Sequence, residues 1–235
     1  MTQPQCNVWV HLLSDILVKT LKTLGENSPQ NINLFTMLQM LENLPYWQYI
    51  IGAFIGIGLA AATGFRVFLP VFVVSLASYM GWIPANEHFA WMSSLPTLII
   101  TGVATVVEIL AYYIPFVDHL LDIISVPVAT IAGSILFASQ FADLSAFPQW
   151  LMALIVGGGT AAVVSSSFAG TRAASTTTTG GIGNHLVSTT ETAGAVVMTG
   201  VALIVPIIAF ILVVLLLYFT FKFGRRVWRK IGRHS

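Results

Sequence analysis

Two arginines interrupt a long apolar stretch of this sequence and are its strongest candidates for chemistry. Between Pro45 and Phe221 the basic residues are Arg66 and Arg172. An arginine at membrane depth costs about 3 kcal/mol on translocon scales, so it marks a candidate functional site. A guanidinium offers a planar fork of donors that suits phosphate and carboxylate oxygens. We expect both arginines to bind an anionic group; pairing with an acid for structure, or snorkelling to the membrane surface, are the alternatives.

A stretch rich in Ser, Thr and Gly surrounds the second arginine, between Ser165 and Asn184. Hydroxyl groups, and backbone N–H groups that glycine leaves accessible, bind anions in proteins. Irregular backbone at membrane depth survives only where it is buried in protein or lines a wet cavity, and we expect a helix break here. An exposed flexible loop is the alternative. The predicted substrate-binding residues are Arg66, Arg172, Thr171, Ser175, Thr176 and Asn184.

Acidic residues in the apolar body are candidates for pairing with the arginines or for coupling proton movement. They are Glu108, Asp118, Asp122 and Glu191. Asp118 and Asp122 lie four residues apart, on one face of a helix, but two aspartates supply fewer oxygen ligands than a metal site needs. We therefore predict no metal site. Glu191 lies within an apolar segment, and we expect it to pair with Arg172 or Arg66.

Motifs that would identify an enzyme do not occur in this sequence. It contains no Gly-x-Ser-x-Gly elbow, no His-Glu-x-x-His and no Walker A loop. The single Cys6 excludes an intrachain disulfide and a cysteine-based metal cluster. We predict no catalytic residue and no cofactor, and we favour a protein that is not an enzyme.

The composition indicates an all-α, polytopic membrane helix bundle. Hydrophobic residues make up 56% and charged residues 8%, against about 25% charged in soluble domains. Segments near the length of a membrane helix, about 20 residues, give six candidate spans: 47–64, 67–83, 95–113, 119–140, 149–169 and 198–221. We expect broken or re-entrant helices near Arg66 and Arg172. The similar surroundings of these arginines leave an internal repeat open.

The chain divides into three regions with different charge patterns. Residues 1–46 are predicted to form an amphipathic N-terminal cytoplasmic helical segment, which lies on the membrane or binds a partner. Residues 47–221 form the transmembrane domain, and 222–235 a basic cytoplasmic tail. The Lys/Arg cluster after Phe221 places the C-terminus in the cytoplasm, and six spans place the N-terminus there as well. Tyr112 and Tyr113 fit an interfacial aromatic belt.

Several motifs in their order resemble a bacterial membrane family catalogued as domain of unknown function 4126. They are Gly58-Leu-Ala-Ala-Ala-Thr-Gly-Phe-Arg-Val-Phe-Leu-Pro70, Ile114-Pro-Phe-Val-Asp-His-Leu-Leu-Asp122 and Thr171-Arg-Ala…Thr-Thr-Gly-Gly-Ile-Gly-Asn184. The resemblance covers roughly residues 48–220 and implies a multi-pass protein of the bacterial cell inner membrane. Members of the family often carry Asp-Lys where this chain has Tyr112-Tyr113. The family name supplies no activity.

A looser resemblance concerns Ala169-Gly-Thr-Arg-Ala-Ala-Ser-Thr176, which is similar to the Pro-Gly-x-Ser-Arg-Ser motif of undecaprenyl-pyrophosphate phosphatases. It lacks the proline and one serine, and it implies handling of a phosphate headgroup. We predict a transporter or permease for an anionic small solute or lipid headgroup. A non-enzymatic membrane scaffold or partner-binding protein, and a lipid-phosphate enzyme, are the alternatives. Expected partners are the lipid bilayer and the anionic ligand, with no nucleic acid; a homo-oligomer is left open.

Overall fold

A computed structural model describes residues 47–83, 87–114, 117–141 and 144–231 of the chain. These residues form helices joined by turns, with no strand among them. The prediction of an all-α fold is therefore confirmed. The predicted N-terminal segment, 1–46, and the last four residues of the basic tail lie outside the described residues.

Eight α-helices and two other helical segments make up the described chain. They are α1 Trp47–Phe65, α2 Phe68–Tyr79, a 3₁₀ segment Glu87–Ser93, α3 Leu95–Ala111, α4 Val117–Ala138, α5 Ala146–Met152, a π-helical segment Ala153–Gly158, α6 Gly159–Thr179, α7 Asn184–Ile204 and α8 Pro206–Ile231. The helix α5, the π-helical segment and α6 follow one another without a break. α8 extends into the predicted tail, because its helix continues past Lys222 to Ile231.

The lengths and compositions of these helices indicate a multi-pass membrane protein. Four helical stretches are long and apolar enough to cross a membrane: Trp47–Phe65, Leu120–Ala138, Ala146–Thr179 and Asn184–Ile204. A fifth is possible if the 3₁₀ segment and α3, which are bent by 60° at their junction, form one broken span. Large apolar side chains such as Ile100 and Val103 are exposed on α3. Such a surface suits contact with lipid rather than water.

Helix α1 is the centre of the bundle. It packs against α4, α6, α7 and α8, and it is buried along most of its length from Ile51 to Gly64. Small residues permit these contacts: Gly56 lies against Phe137 of α4, and Gly58 against Ala202 of α7. In membranes, where lipid is as apolar as the helices, close backbone approach of this kind drives helix association.

Two predicted spans have different bounds in the structure. α2 contains 12 residues and rises about 18 Å, which is shorter than the hydrocarbon layer of about 30 Å. The predicted span 198–221 is wrong, because α7 begins at Asn184 and a second helix begins at Pro206. Val205 separates them with φ −136° and ψ 77°. Proline lacks the N–H of the helix ladder and disfavours helical geometry in the residue before it.

The predicted helix break between Ser165 and Asn184 is present, but it lies after Thr179 and not at Arg172. α6 continues through Arg172 to Thr179, and the chain reverses only at Gly180 and Gly181, where φ is +63° and +92°. The Ser and Thr hydroxyls donate hydrogen bonds to backbone carbonyls of their own helix: Thr176 Oγ1, for example, donates to the Arg172 carbonyl at 3.0 Å. Such back-bonding lets a Ser/Thr-rich segment stay helical. The predicted break near Arg66 is present, since α1 ends at Phe65 and α2 begins at Phe68.

We predict that Gly64→Ala destabilises the bundle and that Gly170→Ala does not. A Cβ at residue 64 would lie 2.5 Å from Val164 Cβ and 2.8 Å from the Ala161 carbonyl oxygen, whereas one at residue 170 meets open space. Overpacking should lower the free energy of unfolding by about 1–3 kcal/mol. Removing a helical glycine in open space should leave it unchanged or raise it by about 1 kcal/mol. Thermal unfolding in detergent, followed by tryptophan fluorescence, measures both; equal effects would contradict this packing.

Candidate functional site

Arg66 and Arg172 meet at one buried carboxylate, that of Glu191. Arg66 follows the end of α1, Arg172 lies in α6 and Glu191 lies in α7. Their exposed fractions are 1%, 3% and 0%. Glu191 Oε2 forms a direct ion pair with Arg172 Nη2 and lies 3.9 Å from Arg66 Nη2. The structure thus brings together two arginines that are 106 residues apart (172 minus 66) in the sequence.

The aromatic ring of Tyr112 lies against both guanidiniums. Its centroid is 4.2 Å from Arg66 Cζ and 3.8 Å from Arg172 Cζ. A cation over the face of a ring is attracted by its quadrupole, by about 2 kcal/mol or more when desolvated. Tyr112 is buried, unlike the exposed Tyr113, so its ring contacts the guanidiniums inside the bundle; its place in an interfacial belt stays a prediction. Its position four residues after Glu108 could have indicated an inward-facing side chain.

Polar groups of α7 fix the guanidinium of Arg66. Nε donates to Thr192 Oγ1 at 3.1 Å, and Nη2 donates to the Ser188 carbonyl at 2.9 Å and to Ser188 Oγ at 2.5 Å. Ser188, Glu191 and Thr192 have helical i, i+3 and i+4 spacing, which places them on one face. Sequence reasoning did not assign Ser188 or Thr192 to the site, although this spacing around Glu191 was a usable signal.

Glu108 binds the backbone at the break between α1 and α2, beside Arg66. Its carboxylate accepts hydrogen bonds from the backbone N–H of Val67 at 2.7 Å and of Phe68 at 3.0 Å. These are free N–H groups at the start of α2, where a carboxylate is favoured by the helix dipole. Glu108, which was predicted to pair with an arginine, therefore caps the start of α2 beside Arg66.

Asp122 completes the charged cluster at the start of α4. Its Oδ1 accepts a hydrogen bond from Arg172 Nη1 at 2.6 Å. The Asp122 side chain is 17% exposed, so it is the member nearest to the outside. The side chain of Asp118, predicted to act with it, lies outside the described part of the chain. We call Arg66, Arg172, Glu108, Tyr112, Asp122 and Glu191 the charged cluster.

A small cavity adjoins the charged cluster. It is lined by side chains of the cluster and by small or apolar residues around them: Arg172, Glu191, Glu108, Asp122, Tyr112, Thr63, Gly64, Phe65, Val67, Ser125, Ser165, Phe168 and Ala169. Its volume of about 10 Å³ holds about one water molecule. Among the described residues, Arg66 Nη1, Arg172 Nε and Glu191 Oε1 are buried without a hydrogen-bond partner. Buried polar atoms rarely remain without a hydrogen bond. Arg172 and Glu191 line the cavity, so their two atoms can bind a hydrogen-bonding guest there, whereas Arg66 is not among the lining residues.

The other predicted binding residues lie outside the lining of this cavity. Thr171 is exposed, and its hydroxyl donates to the Ser167 carbonyl at 2.9 Å. Ser175 Oγ lies 3.4 Å from Thr179 Oγ1. Asn184 Nδ2 donates to Thr176 Oγ1 at 3.0 Å, which ties the start of α7 to the end of α6. Thr176, Thr179 and Asn184 therefore hold the turn between the two helices that carry the arginine and its acid, whereas Thr171 lies within α6.

The charged cluster lies at one end of the bundle rather than at its middle. The 19 residues of α1 rise about 28 Å, close to the thickness of the hydrocarbon layer of about 30 Å, and Arg66 follows the last of them. At the other end of α1, Gly52 lies beside Gln140 of the chain that follows α4. A group bound at the cluster would therefore be near one membrane surface.

We predict that Glu108→Ala destabilises the protein far more than Glu87→Ala. Removing the buried carboxylate leaves the N–H groups of Val67 and Phe68 without their acceptor. Each unsatisfied group costs about 1–3 kcal/mol, whereas Glu87 is exposed. Thermal unfolding of the two variants in detergent provides the comparison. Equal stabilities would show that Glu108 does not hold the start of α2.

Comparison with known proteins identifies a family but no individual relative. A family model described as Domain of unknown function (DUF4126) matches residues 53–226. The match includes every member of the charged cluster. Comparison with curated proteins and with solved structures gives no match.

Proposed function

Because this chain belongs to the family described as Domain of unknown function (DUF4126), which names no activity, we propose a function from the charged cluster. The protein is a membrane transporter or permease for an oxyanion group, either a small free solute or a lipid headgroup. The observation that carries this proposal is the convergence of two buried guanidiniums on one carboxylate beside a cavity.

The donor geometry of the arginines supports an oxyanion as the ligand. Arg66 Nη1 and Arg172 Nε are buried donors without a partner among the described residues. A phosphate or carboxylate has several acceptor oxygens and can bind two guanidiniums at once. Contact with the Tyr112 ring limits the rotation of both guanidiniums. Donors held in place in this way bind with less loss of side-chain entropy.

Under this proposal the small cavity belongs to a closed state of the transporter. Room for one water does not admit a phosphate, so binding requires the helices to move. The helices are irregular at two places where such movement can occur: the break between α1 and α2 at Arg66, and the π-helical segment Ala153–Gly158. Segments of π-helix occur frequently at functional sites. The partly exposed Asp122 is where we place the opening.

A specific observation favours a second candidate, a membrane scaffold without transport. Three carboxylates, Glu108, Asp122 and Glu191, outnumber the two guanidiniums of the cluster. Excess negative charge opposes binding of a further anion while all three are ionised. Under this alternative the ion pairs only hold α1, α4, α6 and α7 together.

Transport by the reconstituted full chain distinguishes the two candidates. One arm measures uptake of radiolabelled phosphate and acetate into proteoliposomes. The other measures transbilayer movement of fluorescent phosphatidylglycerol, so that a free solute and a headgroup give different signals. The transporter proposal predicts activity above protein-free vesicles in one arm. The absence of activity in both arms, from a protein that remains folded, would overturn it in favour of the scaffold.

We further predict that Arg172→Lys reduces the transport rate by about tenfold or more, because lysine keeps the charge but loses the planar fork. The matched control is Lys222→Gln, at an exposed basic residue of α8 that lies over the Tyr218 ring. It should retain the wild-type rate. Rates are compared at equal amounts of folded protein, judged by size-exclusion chromatography. Equal loss in both variants would contradict a specific role for Arg172.

A further inference from the structure

We infer that the Glu191 carboxylate occupies the position of the ligand's oxyanion, and that it must be protonated and displaced before the anion binds. This inference rests on the proposed function and adds its energy coupling. One proton, taken up by Glu191, moves with each singly charged anion. The shared chemistry is that of a carboxylate, since Glu191 already presents one carboxylate oxygen, Oε2, to two guanidiniums.

The contacts of Glu191 are those expected of a side chain that fills an anion site and can leave it. They differ from those of a carboxylate that caps a helix permanently. Oε2 is shared between Arg172 Nη2 and Arg66 Nη2. Oε1 is buried without a hydrogen-bond partner among the described residues, and Glu191 lines the cavity. Glu108, in contrast, is held by two backbone N–H groups. Of these two carboxylates, Glu191 is the one that can leave without exposing backbone amides.

The charge of the cluster requires the proton. With all groups ionised, two guanidiniums face three carboxylates and leave one net negative charge. An anion added to this arrangement would double that charge in a buried site of low dielectric. If Glu191 takes up a proton as a singly charged anion enters, the anion replaces its charge and the total is unchanged. Proton and anion are therefore expected to bind together.

Charged and titratable groups from several elements surround Glu191. Arg66 from the α1–α2 junction and Arg172 from α6 pair with its Oε2. Asp122 from α4, Glu108 from the end of α3 and Tyr112 line the same cavity as Glu191. On α7 itself, His185 is exposed near the turn beside the Tyr113 ring. The first charged residue of α8 is Lys222, which follows the apolar part of that helix.

Formate, the smallest carboxylate, tests whether Glu191 occupies an anion site. Glu191→Ala should leave a space between the guanidiniums that formate fills, and binding to the folded state raises the unfolding temperature. We expect a rise of about 3 °C or more in about 50 mM sodium formate over equal sodium chloride, at neutral pH. Wild type should show a smaller rise than the variant at neutral pH, and its rise should grow as the pH is lowered, because displacement of Glu191 takes up a proton.

Glu191→Gln keeps the side-chain volume and removes the charge, so it serves if Glu191→Ala does not fold. It should respond to formate at neutral pH, as Glu191→Ala does. Glu87→Ala, at an exposed glutamate, is the matched control and should behave as wild type. If formate stabilises neither Glu191 variant beyond chloride, or if the wild-type response does not change as the pH is lowered, the inference is wrong. Formate binding in the variants without transport by wild type would instead reject the proposed function alone.

Discussion

The sharing of one carboxylate by two buried guanidiniums is the interaction on which this structure depends. An isolated charge in an apolar interior costs several kcal/mol, and removing one partner of a buried pair costs about 3–5 kcal/mol. Arg66 comes from the junction of α1 and α2, Arg172 from α6 and Glu191 from α7, so their pairing fixes how these parts of the bundle meet. The Tyr112 ring and the hydroxyl of Ser188 complete the surroundings that make the arginines tolerable there.

The rest of the bundle places these three side chains at one end of α1. Glycines on α1 bring α4, α6 and α7 close to it, with Gly64 against Val164 at the level nearest to Arg66. The turn after Thr179 returns the chain so that Glu191 lies beside Arg172. Glu108 holds the break that lets Arg66 point inward rather than continue a helix. The same arrangement that stabilises the charges therefore leaves a cavity among them.

Composition and spacing predicted the helical membrane class, the inward arginines as candidates, and Glu191 as their expected partner. They did not predict the bounds of α7 and α8, because hydropathy runs unchanged across Val205 while Pro206 ends the helix ladder. The Ser/Thr-rich part of α6 was expected to be irregular, since composition does not reveal hydroxyls that bond to their own helix. Tyr112 was missed because an aromatic residue at a helix end is also typical of a membrane interface. Contacts between distant segments, such as Glu108 with Val67, have no local signal in a single sequence.

The most direct test of the central claim is a double-mutant cycle between Arg172 and Glu191, measured as thermal stability of the full chain in detergent. Arg172→Met leaves Glu191 with Arg66 as its remaining partner, at 3.9 Å, and Glu191→Met leaves Arg172 with Asp122, so each should destabilise strongly. The double variant removes both charges and should be more stable than the sum of the single effects predicts, by about 2 kcal/mol or more. Additive effects of the two substitutions would show that the guanidinium and the carboxylate do not interact, and would contradict the account.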